Sequence, residues 1–148
     1  MTKRDKAKAY IASALPLLNL RQWTVNLSES LPPDDSYADI EVSTNLWQAT
    51  IRLSEDFWKE TPESQRRIIA HELIHIHYAG VERLLDVLEQ SLGTMVYDVV
   101  ANIWDVESER GADSLSTPLG ELLPLPDFTE EEENHGRKEA RKTRKRKA

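Results

Sequence analysis

Two histidines and a glutamate interrupt an otherwise apolar run: Ile69, Ala70, Leu73, Ile74 and Ile76 surround His71, Glu72 and His75. A buried ionisable side chain is costly without a partner. A chain with this run is expected to pass it through the middle of a domain as a helix and give the three residues a shared task. Helix positions four apart lie about 40° from each other around the axis and one turn along. His71 and His75 therefore point the same way, placed to grip one metal ion. Glu72 lies about 100° further round. It can sit beside the ion without binding it and take a proton from a metal-bound water, the mechanical content of the His-Glu-x-x-His pattern. Zinc is the expected ion, because it lowers the pKa of its water to about 7. The bland alternative is a pair of core or surface histidines beside a solvated glutamate. His77, about 200° from His75, is expected to be partly exposed and not a ligand.

The flanking sequence supplies a scaffold. Thr61-Pro62-Glu63 is a helix start, with a capping hydroxyl, a proline at the first helical position and an acid at the positive end of the dipole. Gly80 reads as the stop of that helix. A second helix is expected from about Val81 to Leu92, and a third from Thr94 to about Ser116, before Pro118. Upstream, Ala7, Tyr10, Ile11, Ala14, Leu17 and Leu18 recur at helical spacing over residues 3–20, where Pro16 kinks or shortens the helix. Three alternating segments follow, around Trp23–Leu27, Ala38–Val42 and Trp47–Leu53, each with one apolar and one polar face. Ser43-Thr44-Asn45 is short enough to join the last two as a hairpin. The expectation is an α+β domain over residues 1–126: an N-terminal helix, a three-stranded mainly antiparallel sheet, the metal-binding helix and two further helices. Residues 127–148 are expected to form a charged, disordered tail.

A hydrolytic zinc site takes three protein ligands and leaves one position open. The chain has no cysteine, and its remaining histidine, His135, lies in the charged tail. The third ligand is therefore expected to be a carboxylate of the last helix: Asp105, Glu107, Glu109 or Asp113. Here a resemblance enters. Glu109-Arg110-Gly111-Ala112-Asp113 resembles the Glu-x-x-Ala-Asp signature of gluzincin peptidases, found also in membrane peptidases of the CAAX-processing type. The resemblance implies that Glu109 completes the zinc site and that Asp113, one turn on, supports it by accepting a hydrogen bond from a ligand histidine. Glu109, Ala112, Leu115 and Ser116 are also similar to the helix after the active site in small phage and mobile-element metallopeptidases, including the repressor-cleaving type. Over residues 37–119 the resemblance implies a minimal zincin-like fold. It also implies that the strand before the metal helix, Trp47 to Leu53, lies at the sheet edge and pairs with substrate. Two alternatives stay open. Glu107 continues the apolar stripe Val96, Val100, Ile103, and Glu109 belongs to a polar stripe with Asp98, Asn102, Asp105 and Asp113 that could face water. No oxyanion-stabilising residue stands out beyond Tyr78 and Tyr97.

Composition narrows the rest. Without cysteine, disulfides, thiolate metal sites and cysteine nucleophiles are excluded. No apolar run approaches the roughly 18 residues of a membrane span, and the first residues make a poor signal peptide, so a cytoplasmic protein is expected. Residues 137–148 carry eight Lys/Arg against one acid, so the rest of the chain holds −14 of a net charge of −7. An acidic body does not suit nucleic acid; the basic tail is the one segment that could tether it through phosphate contacts. The function expected is a zinc metallopeptidase acting on a protein or peptide substrate, with Glu72 as general base. The alternative is a zinc-stabilised structural or regulatory protein of phage type.

Overall fold

The computed structural model describes residues 1–129. Thr2 opens helix α1 (Lys3–Ala14) with a reciprocal cap, in which its hydroxyl accepts the Asp5 amide and the Asp5 carboxylate accepts the Thr2 amide. Ala7, Tyr10, Ile11 and Ala14 form the buried face. The helix stops well before Leu20, since Pro16 has no amide hydrogen with which to continue it.

Three strands follow: β1 (Thr24–Leu27), β2 (Ala38–Ser43) and β3 (Gln48–Leu53), in the spatial order β1-β3-β2. The hairpin is present, with β2 antiparallel to β3 and Ile40 opposite Ile51, closed by a 3-10 turn over Thr44–Leu46 and by Trp47 in the left-handed region. β1, however, joins β3 in parallel, with Val25 opposite Ala49. The sheet is therefore mixed and not mainly antiparallel, and β3 is its central strand and not an edge. Alternation in a sequence reports which face is buried; it carries no information about which neighbour a strand takes. The ten residues between β1 and β2 let the chain pass the position that β3 later fills.

Thr61 caps helix α2 (Pro62–Leu92) by accepting the Ser64 amide, and Pro62 occupies the first turn. Ile69, Ala70, Leu73 and Ile76 are buried in the main core with Ile51, Leu53 and Phe57. Each large aliphatic side chain contributes about 1.5–3 kcal/mol by that burial. The helix does not stop at Gly80. It runs on to Leu92 and breaks at Gly93, whose φ of 74° suits glycine alone. A single helix α3 (Thr94–Gly120) returns antiparallel along it, so one helix follows α2 and not two. Gly80 costs about 1 kcal/mol relative to alanine inside a helix, a local penalty that packing against α3 overrides. Pro118 lies in the last turn of α3, where it removes one bond and does not end the helix before Gly120.

After α3 the chain crosses back to α1. The Tyr10 hydroxyl donates to the Pro124 carbonyl at 2.7 Å, and Phe128 packs among Tyr10, Phe57 and Trp58. The packed chain thus reaches Phe128, two residues past the limit at 126. The basic run 137–148 and His135 lie outside the described residues.

Candidate metal centre

The sheet, α2 and α3 enclose a cleft of about 560 Å³. α2 presents His71, Glu72 and His75 to it, β2 contributes Ala38, Asp39, Ile40 and Val42, and α3 contributes Glu109, Asp113 and Ser116. The Nε2 atoms of His71 and His75 lie 3.1 Å apart. One Glu109 oxygen lies 3.3 Å from His71 Nε2, and the other 3.2 Å from His75 Nε2. Three donors at about 2.0–2.1 Å from a tetrahedral centre are separated by about 3.3–3.4 Å. The two imidazoles face one carboxylate oxygen each at distances close to these, so the set fits a single metal ion in chemistry, and these three residues form the one such group among the described residues.

The surroundings agree. Asp113 Oδ1 lies 3.2 Å from His71 Nδ1, so the imidazole can donate there and keep its Nε2 lone pair turned to the other donors. Burial is the main influence on His75 and holds its pKa below the usual histidine value, with Glu109 opposing and His71 assisting. A neutral imidazole is the form that ligates metal. The ring of Tyr78 packs edge-on against His75 and Trp104. Its hydroxyl rests where α3 has no side chain: a Cβ at Gly111 would stand 2.7 Å from it. Glycine at 111 thus admits the tyrosine one turn from the ligands.

Glu72 is 7% exposed. Burial first, then Glu109, Asp39 and Asp34, push its carboxyl up to about 8. A carboxyl so poised beside a cleft marks a candidate acid–base group. The competing assignments separate cleanly. Glu107 is exposed and pairs with Arg110 at 2.8 Å, away from the histidines. Asp105 is exposed and not among the donors. His77 is exposed and reaches the Leu18 carbonyl at 3.0 Å. Tyr97 lies twelve positions before Glu109 on α3, about 18 Å along the axis.

Arg67 and Tyr37 also line the cleft, and neither stood out in the sequence. Arg67 had a signal, four positions before His71 and so on the same helical face. Tyr37 had none, because its position depends on how β2 sits beside α2. No helix among the described residues is long and apolar enough to cross a membrane. Comparison with protein families, with curated proteins and with solved structures finds no match to this chain.

Proposed function

We propose that the protein is a cytoplasmic zinc-dependent peptidase with its metal on His71, His75 and Glu109. The supporting observation is the cluster of His71, His75 and Glu109, each imidazole within 3.1–3.3 Å of the other or of one Glu109 oxygen, beside the buried Glu72 in an open cleft. When bound, zinc would polarise the scissile carbonyl and acidify the attacking water. Glu72 accepts the proton that water loses as its oxygen bonds to the carbonyl carbon, then delivers it to the leaving nitrogen as the C–N bond breaks. Asp113 keeps His71 in the tautomer that leaves Nε2 free. Arg67 is the one Lys or Arg lining the cleft among the described residues, available to a developing negative charge.

The zincin-like expectation of substrate capture by strand addition moves to a different strand. β3 is paired on both sides, whereas β2 is an edge strand whose residues Ala38, Asp39, Ile40 and Val42 line the cleft. An extended peptide would add to β2. Arg52 holds that edge in place from β3 by a two-pronged contact to Asp39, Nε to Oδ1 at 2.9 Å and Nη2 to Oδ2 at 2.6 Å.

A second reading keeps the metal without catalysis. The donors come from two helices, so an ion there would clasp α3 to α2, as would suit a structural or regulatory protein of phage type tethered to nucleic acid by its basic tail. A structural clasp needs no Glu72 and no open cleft. The test is a proteome-derived peptide library incubated with full-length protein. Cleavage should stop with a chelator and return with zinc. Glu109→Ala should abolish both zinc retention and cleavage, Asp113→Asn should weaken zinc binding roughly 10- to 100-fold, and Glu107→Ala should change neither. Tight zinc with no cleavage of any peptide favours the clasp; loss of zinc in Glu107→Ala but not Glu109→Ala refutes the ligand assignment.

A further inference from the structure

Beyond the cleft, α2 and α3 continue as a two-helix hairpin, and one side of it is apolar and uncovered. Leu84 and Val87 of α2 and Val96, Val99, Ile103 and Val106 of α3 are each half exposed or more. We propose that this side is a self-association surface, through which two copies of the chain pair their hairpins as a four-helix bundle.

Helical spacing shows that the six residues form one patch. At 100° per residue, the four α3 residues fall within an arc of about 80°, and Leu84 and Val87 lie about 60° apart. The acids follow other arcs. Glu82, Asp86 and Glu89 share the face of α2 that carries His71 and His75, and Asp98 and Asp105 share the face of α3 that carries Glu109. The apolar arcs are centred about 160° round α2 and about 120° round α3 from those faces. In each helix the half-buried residues, Leu85 and Leu88 or Val100 and Trp104, lie between the acid arc and the apolar arc. An antiparallel pair therefore shows acids on the side of the metal centre and aliphatic side chains on the opposite side. Glu107, which borders the apolar side, is already matched by Arg110 at 2.8 Å.

The area and the charge pattern select a second copy as occupant. Each of the six side chains leaves on the order of 100 Å² in water, about 600 Å² together, at the top of what an unpartnered monomer shows. A two-fold axis doubles that to about 1,200 Å², where specific interfaces begin. The patch is neutral and aliphatic with helical spacing, so its complement is a surface of the same kind, and ridges of one hairpin can enter grooves of the other. Pairing this way turns both acidic sides outward and keeps like charges apart. A basic partner would find no acid to read on this side, and an anionic lipid surface would repel the acidic hairpin. The cleft, on the other side, stays open in the pair.

The experiment is the mass of the full chain in solution, by sedimentation equilibrium from about 1 to 200 μM, with zinc and with chelator. Two chains of 17.0 kDa per particle are expected. Ile103→Glu should raise the dissociation constant at least 100-fold, with helical circular dichroism unchanged because the site is exposed. Leu84→Glu on the other helix should do the same, so a folding defect in one variant cannot stand in for dissociation. A wild type that stays monomeric to 200 μM overturns the proposal. So does a dimer whose mass is indifferent to both variants, or a particle larger than two chains. The readout is independent of metal and catalysis, and its failure leaves the peptidase reading intact.

Discussion

Glu72→Gln should leave zinc content and melting temperature close to wild type while peptide hydrolysis falls by about 10²- to 10⁴-fold. Glutamine has nearly the same shape and removes only the base. The side chain is not among the three donors, so the metal has no reason to leave. The site is buried, so a neutral amide there costs no more to desolvate than the carboxylate it replaces. A structural metal site predicts no functional change from the same substitution. The measurement is product formation from the peptide library, beside metal analysis and thermal unfolding of the same preparations. Identical products from wild type and variant would mean that a contaminant is cutting, and the peptidase reading would fall.

His71→Ala and His75→Ala should each lose the metal, from about one zinc per chain to near none. A ligand that binds only the native state stabilises it by about 4 kcal/mol at a thousand times its dissociation constant, and both variants should forfeit that increment. The comparison is the melting temperature of each protein with excess zinc and with chelator. Wild type should show a large difference between the two conditions and the variants almost none. In chelator alone, the variants should lie somewhat below wild type, because both imidazoles are mostly buried; the zinc-dependent difference isolates the metal from that packing loss. Equal zinc content in wild type and the double variant would end the assignment of the centre.

Much of the centre was legible because it is local. His71, Glu72 and His75 are fixed relative to one another by one turn of helix, and Thr61-Pro62 announced where that helix starts. Glu109 and Asp113 stood among four candidate carboxylates and were singled out only through resemblance, since no spacing rule says which face of a second helix meets the first; contact between α2 and α3 separates Glu109 from Glu107. The sheet was legible in part. Each strand announced its buried face and the hairpin announced itself, but the parallel partner of β1 is a long-range choice with no local mark. The helix boundary at Gly80 was misread for a related reason. A glycine biases a helix to end, but the bias is about 1 kcal/mol and the packing of α3 exceeds it. Phe128 was hidden by its neighbours: an isolated aromatic beside a charged run reads as tail until its ring is found against Tyr10.

The unbroken course of α2 past Gly80 also sets where the chain can open. Up to Ala79 the helix leans on the core, whereas from Val81 to Leu92 most of its side chains are in water and none belongs to the main core. Opening free energies within one protein follow such local support. In the separated chain, amide hydrogens of residues 81–106 should exchange with solvent much faster than those of residues 69–79, though the two stretches share a helix; equal protection along α2 would refute this. The metal donors stand at the boundary between the two regimes, so an ion held there acts as a stopper. Fraying that begins near Gly93, about 27 Å from His75, would run down the hairpin and halt at the last cross-link before the core.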